Sequence, residues 1–265
     1  MTISDLGLPD LELSEVAVRF GGLLAVDGVS LTAPAGQVTG LIGANGAGKT
    51  TTFNACCAVV PTTAGSVTLG GRCLDGLSTA ARAQAGLGRT FQRMELVDTA
   101  TVADNVALGA EALIAGRRPW GLILGSRKVR AQILQTARGE MERCGLTEIA
   151  GVPAGELSTG QGRLVELARV LTADYRFLLL DEPSSGLDKA ETEHFGRIVA
   201  DAVAERGVGV LLVEHDMALV RQLCSYIYVL DFGRLLCDGP ATEVLASPQV
   251  RDAYLGTEHH STAVA

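Results

Sequence analysis

The chain has 265 residues, 47% of them apolar, and its 30 acidic against 22 basic side chains leave a formal charge of −8. That length and apolar share can bury the core of one large domain or two modest ones, and the acidic balance argues against a nucleic-acid partner. No apolar run is long enough to cross a bilayer and no basic-plus-apolar leader opens the chain, so any membrane role is expected to come through a partner.

Residues 1 to 10 read as a loose end. Apolar and polar residues then partly alternate from Leu11 to Phe20 and again from Val26 to Leu31, predicting two half-buried strands. Val38 to Ile42 is a short apolar strand running into a glycine-rich turn, followed by a predicted helix from Thr50 to Val60 that Pro61 stops. Val67 to Leu69 with Gly70-Gly71 suggests a further antiparallel strand and turn. The next stretch is helical: Thr101 with Asp104 makes a capping pair for a helix to about Ala115, and Ser126 caps a second one carrying Val129, Ile133, Ala137 and Met141 up to Gly145. Alternation then returns, with a helix from Gly160 to Ala173, a buried strand from Phe177 to Leu180, a helix from Ala190 to Arg206 closed by Gly207, and a strand from Val208 to Val213. A hairpin pairs Tyr226–Leu230 with Arg234–Cys237 across Phe232-Gly233, short helical pieces start at Pro240 and Pro248, and residues 257–265 read as a disordered tail.

Gly43-Ala44-Asn45-Gly46-Ala47-Gly48-Lys49-Thr50 matches G-x-x-x-x-G-K-[ST] between a predicted strand and a predicted helix, the context that motif requires. Such glycines let backbone N–H groups converge on phosphate oxygens at a helix N-terminus, which here includes Thr51. Lys49 would bridge the β and γ phosphates of ATP and the Thr50 hydroxyl would ligate Mg²⁺. Four apolar residues end in Asp181-Glu182: Asp181 is a second candidate metal ligand and Glu182 the candidate base, unless both acids merely cap the following helix. His215, just past a core strand, faces the same crevice and is a candidate γ-phosphate contact. Gln92, in Gly-Arg-Thr-Phe-Gln, is neutral and able to touch both Mg²⁺ and the attacking water, or is simply solvated. Phe20 either stacks on the adenine ring or, sharing strand parity with Val16 and Val18, belongs to the core. His194, His259 and His260 read as solvated, and all six cysteines (Cys56, Cys57, Cys73, Cys144, Cys224 and Cys237) as reduced core thiols without ligand spacing.

Leu157-Ser158-Thr159-Gly160-Gln161 opens an apolar-faced helix and holds no charge and no general base. Ser158 is a natural N-cap, the first N–H groups of the helix suit an anion, and Gly160 permits close approach. Since the Lys49 loop already cradles one phosphate chain, a second phosphate-reading helix start suits a second ATP, shared across a two-fold dimer.

With these motifs in order, the chain resembles the ATPases of ABC transporters. LSTGQ is similar to their LSGGQ signature, and around it stand the phosphate loop, the Gln92 segment, Leu-Leu-Leu-Asp-Glu-Pro, Ser184-Ser-Gly-Leu-Asp188 and His215, over about residues 11 to 256. Gly-Arg-Thr-Phe-Gln, Val-Glu-His-Asp-Met and Ala253-Tyr-Leu-Gly256 resemble the ATPases of branched-chain amino-acid importers. Thr159 departs from the first signature glycine, Gly162 stands where a basic residue is usual, and Phe20 where many relatives carry Tyr.

The resemblance implies an α/β fold: a P-loop NTPase with a RecA-like core, an N-terminal antiparallel β subdomain (with the first part of the core, 11–93), an inserted helical subdomain (94–156) and the rest of the core (157–256). It implies an ATP-hydrolysing, Mg²⁺-dependent subunit in which Ser158, Gly160, Gln161 and Asp188 face a second ATPase subunit, identical or different. Separate permease membrane subunits would hold it peripherally on the cytoplasmic face of the membrane, and an extracytoplasmic solute-binding protein would act indirectly. Met94, Leu96 and Val97, with Trp120 at the rim, are the candidate permease-docking residues. The rivals are an export or lipopolysaccharide-extraction ATPase of the same family, a P-loop kinase, and a non-transport ABC protein acting on DNA or ribosomes.

Overall fold

The computed structural model describes residues 10–90, 95–117, 127–173, 175–248 and 250. Gln92, Met94, Trp120, Ser126, His259, His260, the Ala253–Gly256 stretch and the tail lie outside them. Two sheets carry the fold. The first is antiparallel, β2-β1-β4-β5, from β1 (Leu11–Phe20), β2 (Leu23–Ala33), β4 (Ala64–Leu69) and β5 (Arg72–Cys73). The second has the order β10-β9-β3-β8-β7-β6, from β3 (Val38–Gly43), β6 (Leu87–Arg89), β7 (Phe177–Asp181), β8 (Gly209–Val213), β9 (Tyr226–Asp231) and β10 (Arg234–Pro240). It is parallel except for the β9–β10 hairpin.

The apolar runs of β7 and β8 are continuous because both faces of the parallel sheet are covered. Their side chains alternate between two cores. Leu178, Leu180, Val210 and Leu212 pack into one, with helices α3 (Val102–Arg117), α4 (Arg127–Arg143), α5 (Thr159–Thr172) and α6 (Lys189–Arg206). Phe177, Leu179, Leu211 and Val213 pack into the other, with Phe53 of α1 (Lys49–Cys56) and the inner face of the antiparallel sheet, including Leu13, Val16 and Val29. Full burial of each such side chain contributes roughly 1.5–3 kcal/mol before the entropy of ordering is counted.

Several boundaries differ from the sequence reading. The first helix begins at Lys49 and stops at Cys56 rather than Val60, because Ala58 turns into the left-handed region (φ +57°) ahead of Pro61. The strand expected at 26–31 runs from Leu23 to Ala33. Helix α2 (Thr79–Gln84), strand β6 and helix α7 (Met217–Leu223) carry no periodic signal long enough to read. The Thr101–Asp104 cap forms, with Thr101 Oγ1 donating to Asp104 at 2.7 Å and accepting the Asp104 N–H at 3.1 Å. Four cysteines are buried, and burial pushes the Cys57 thiol up to about 11 and those of Cys144 and Cys224 to about 12, as for inert packing groups. Cys73 is exposed and Cys237 half-buried, which corrects their reading as core: both sit on sheet-edge strands with one face toward solvent. His194 is likewise half-buried rather than fully solvated.

Candidate functional site

The site lies where the strand order changes direction about β3, at the carboxyl ends of β3, β7 and β8, the position at which open α/β sheets gather ligands. β3 is buried along its whole length and delivers the loop 43–50 to the start of α1. Gly48 caps that helix in a left-handed conformation (φ +101°) without any side-chain cap, and a Cβ there would lie 2.7 Å from the Ala25 carbonyl oxygen. The first turn of α1 holds no acidic residue, so its N–H groups and dipole remain disposed toward an anion. Lys49, 5% exposed, donates from Nζ to the carbonyls of Gly43 (2.7 Å) and Ala44 (2.9 Å), so the ammonium lies across the mouth of its own loop. Burial lowers its pKa, while the nearby Glu182 and Asp181 carboxylates oppose the shift.

Asp181 ends β7 and is fully buried. Its Oδ2 accepts from Arg89 Nη2 at 2.8 Å, and Arg89 is held in turn by Asn54 Oδ1 at 2.6 Å and by the Phe53 ring, 5.9 Å from the guanidinium carbon. Oδ1 is buried without a hydrogen-bond partner among the described residues. An orphaned carboxylate oxygen near Lys49 and the loop is one that a divalent cation would satisfy, since it is otherwise a desolvated acceptor without a partner among the described residues. Burial pushes the Asp181 pKa up, and Arg89 opposes that. Arg89 escaped the sequence reading; its only signal was a basic residue three before Gln92.

Glu182 takes a left-handed φ of +48° and donates its N–H to the Val213 carbonyl at 2.8 Å. That kink turns its side chain out of the sheet, where Oε1 lies 2.7 Å from His215 Nε2. The acids therefore do not cap a helix: the next one, α6, starts at Lys189 and is capped by Asp188. Behind His215, Glu214 is buried and accepts from Ser184 N (2.8 Å), Ser184 Oγ (2.9 Å), His215 N (2.9 Å) and Asp216 N (3.2 Å). Sequence reading passed over Glu214 because a buried carboxylate is recognisable only by its donors.

Asn45, Gly46, Gly48, Lys49, Thr50, Thr51 and Glu182 line a groove of about 570 Å³ whose other end is apolar: Phe20, Leu23, Leu24, Ala25 and Phe232. Phe20 is 50% exposed and pairs with Leu23 across the tight Gly21-Gly22 turn, so despite its parity it is not core. Gly43, Ala44 and Ala47 form the back of the loop.

The signature residues do not line that groove. Ser158 caps α5 in a reciprocal box, its Oγ accepting the Gln161 N–H at 3.2 Å and the Gln161 Oε1 accepting the Ser158 N–H at 3.0 Å. Asp188 and Glu191 form the same box at the start of α6. Gly160 does allow close approach, but of Glu191: a Cβ at 160 would lie 2.1 Å from Glu191 Oε1. The two helix starts are thus packed together within the chain.

A mainly parallel sheet with a glycine-rich phosphate loop after β3 and an acid pair at the end of β7, one strand removed across β8, defines a P-loop nucleotide-binding ATPase. Residues 26–185 match the family described as ABC transporter, and residues 234–260 that described as branched-chain amino acid ATP-binding cassette transporter. The chain belongs to the ABC transporter family, as one of its ATP-binding subunits. It is 38% identical over 94% of its length, and 98% of the relative's, to the high-affinity branched-chain amino acid transport ATP-binding protein BraF of Pseudomonas aeruginosa. It is 33% identical, with the same coverage, to the lipopolysaccharide export system ATP-binding protein LptB of Escherichia coli. Among solved structures, the ADP conformation of an ATP-binding cassette of an ABC transporter matches with TM-score 0.82 and 27% identity, over 94% of this chain and 99% of that one.

Proposed function

We propose that this subunit hydrolyses ATP to drive uptake of branched-chain or related apolar amino acids through separate permease subunits on the cytoplasmic face of the membrane. The observation that carries the solute class is the match of residues 234–260, outside the 26–185 stretch matched to ABC transporters in general, to the branched-chain amino acid cassette family. Attachment through partners accords with the absence, among the described residues, of any helix long and apolar enough to cross a membrane.

At the site, the 43–51 loop binds the triphosphate and Lys49 turns from its own carbonyls to the β and γ phosphates. Thr50, Gln92 and the orphaned Asp181 Oδ1 are the residues that would hold Mg²⁺, which offsets phosphate charge when bound. Glu182 takes the proton of the attacking water, and His215, 2.7 Å from it, holds that carboxylate and meets the γ-phosphate. Ser158, Gly160, Gln161 and Asp188, which do not line the chain's own groove, complete the site of a second ATPase subunit. The helical block 94–156 couples the site to the permease. Within it Leu96 packs against the core while Val97 is 46% exposed, so Val97 is the stronger docking candidate.

Uptake of labelled leucine in cells lacking the chain tests the proposal. Restoration by the natural chain but not by Glu182→Gln is expected. Intact uptake with defective lipopolysaccharide export would instead assign it to the LptB-like branch.

A further inference from the structure

Two aromatic side chains line the nucleotide groove, and Phe20 is one of them. The other is Phe232, at the tip of the β9–β10 hairpin, 88% exposed and in a left-handed conformation (φ +42°). A bulky residue rarely takes that conformation and keeps it where its surroundings leave no alternative. Those surroundings are specific. The Gly233 N–H donates to the Ala47 carbonyl of the phosphate loop at 3.0 Å, and the Gly233 carbonyl accepts the Asp27 N–H of β2 at 2.8 Å. Arg234 adds an ion pair to Asp27 at 2.7 Å, and a Cβ at position 233 would lie 2.8 Å from the Ala25 carbonyl oxygen. The hairpin tip is thereby fastened both to the phosphate loop and to β2, which holds the backbone of Phe232 at the groove.

A large apolar side chain held open to solvent needs a reason. Here it lines one groove together with Phe20, Leu23 and the residues of the phosphate loop. A flat aromatic base attached to a polyanion matches both ends of that groove. We propose that Phe232 is a base-recognition residue of the nucleotide site, closing with Phe20 on the two faces of the base; this rests on the reading of loop 43–51 as the ATP site. The rim residues Phe20, Leu23, Leu24, Ala25 and Phe232 have no polar side-chain atoms, so recognition runs through stacking area. Purines are held over pyrimidines, and adenine is not distinguished from guanine.

Equilibrium binding of Mg-ATP and of Mg-tripolyphosphate, which lacks a base, to the full chain tests this. Phe232→Ala is expected to weaken ATP binding about five- to tenfold, the scale of one base–aromatic stack, and to leave tripolyphosphate binding unchanged. ATP should retain its lead over CTP in the natural chain and lose most of it in Phe232→Ala. In a Trp120→Phe background, Phe232→Trp leaves a single indole, whose emission ATP should quench and tripolyphosphate should not. Unchanged ATP affinity in Phe232→Ala together with an indole blind to ATP would overturn the assignment and leave the exposed ring to a protein contact. If the natural chain bound neither ligand, the reading of the loop itself would fall, and this inference with it.

Discussion

Glu214 holds Ser184 twice, its Oε1 accepting the backbone N–H at 2.8 Å and its Oε2 the hydroxyl at 2.9 Å. The same carboxylate accepts the N–H groups of His215 and Asp216, so one buried charge ties the segment after Glu182 to the segment bearing His215. Glu214→Gln would turn an amide NH₂ toward groups that are themselves donors, leaving some unsatisfied at about 1–3 kcal/mol. We expect a lower unfolding midpoint and slower phosphate release with ATP affinity little changed. Full turnover and natural stability in the variant would show that the network is dispensable.

Arg89 and Asp181 form a buried pair, and removing the cation strands the acid. Arg89→Met should destabilise the fold by about 3–5 kcal/mol at pH 8. The sign of the pH dependence follows from Asp181, whose folded pKa burial already raises and which would rise further without Arg89. A raised acid is favoured protonated in the folded state, so the loss is greatest at high pH and shrinks as pH falls through the folded value toward the unfolded one near 3.9. Denaturant melts of both proteins at pH 8 and pH 5 measure it; a loss that does not change with pH would mean that Asp181 titrates normally.

The groove was only partly legible before the fold was known. The phosphate loop and the runs of β7 and β8 announce themselves because glycine spacing and unbroken apolar stretches are local patterns. Arg89 does not, because β6 spans only Leu87–Arg89 and pairs with a single neighbour, leaving no period to detect. Phe20 misleads for a related reason: β1 shifts register near Glu15 (φ +49°) and again after Val18, so parity with Val18 no longer means an inward side chain at the strand's end. Phe232 depends on contacts with segments as far as 207 residues away, which no local pattern encodes.

Glu182→Gln keeps the size of the side chain while removing its basicity. Hydrolysis is expected to fall by roughly two to four orders of magnitude with ATP affinity retained, whereas Lys49→Ala should weaken binding itself. Phosphate release and nucleotide titration separate the two, and near-natural turnover in the Gln variant would remove Glu182 from the role of base.

Ser158 permits a cleaner test of the signature than a bulky substitution does. Aspartate caps a helix as well as serine does, so Ser158→Asp preserves the end of α5 while placing a negative charge where a partner's γ-phosphate would sit. In a Glu182→Gln background we expect an unchanged melting point and unchanged binding of one ATP, but no ATP-dependent dimer in sedimentation. A dimer that persists would reduce residues 157–161 to a helix cap.

The alternation of β7 and β8 between two cores has a consequence for how this chain can change over generations. One residue inserted within 177–181 would send every following side chain of that strand to the opposite core, exchanging leucines shaped for helices with those shaped for a sheet. Substitutions there can be absorbed one at a time; insertions cannot. The parallel strands are therefore locked in reading frame, and lengthening of this subunit is confined to the turns between them.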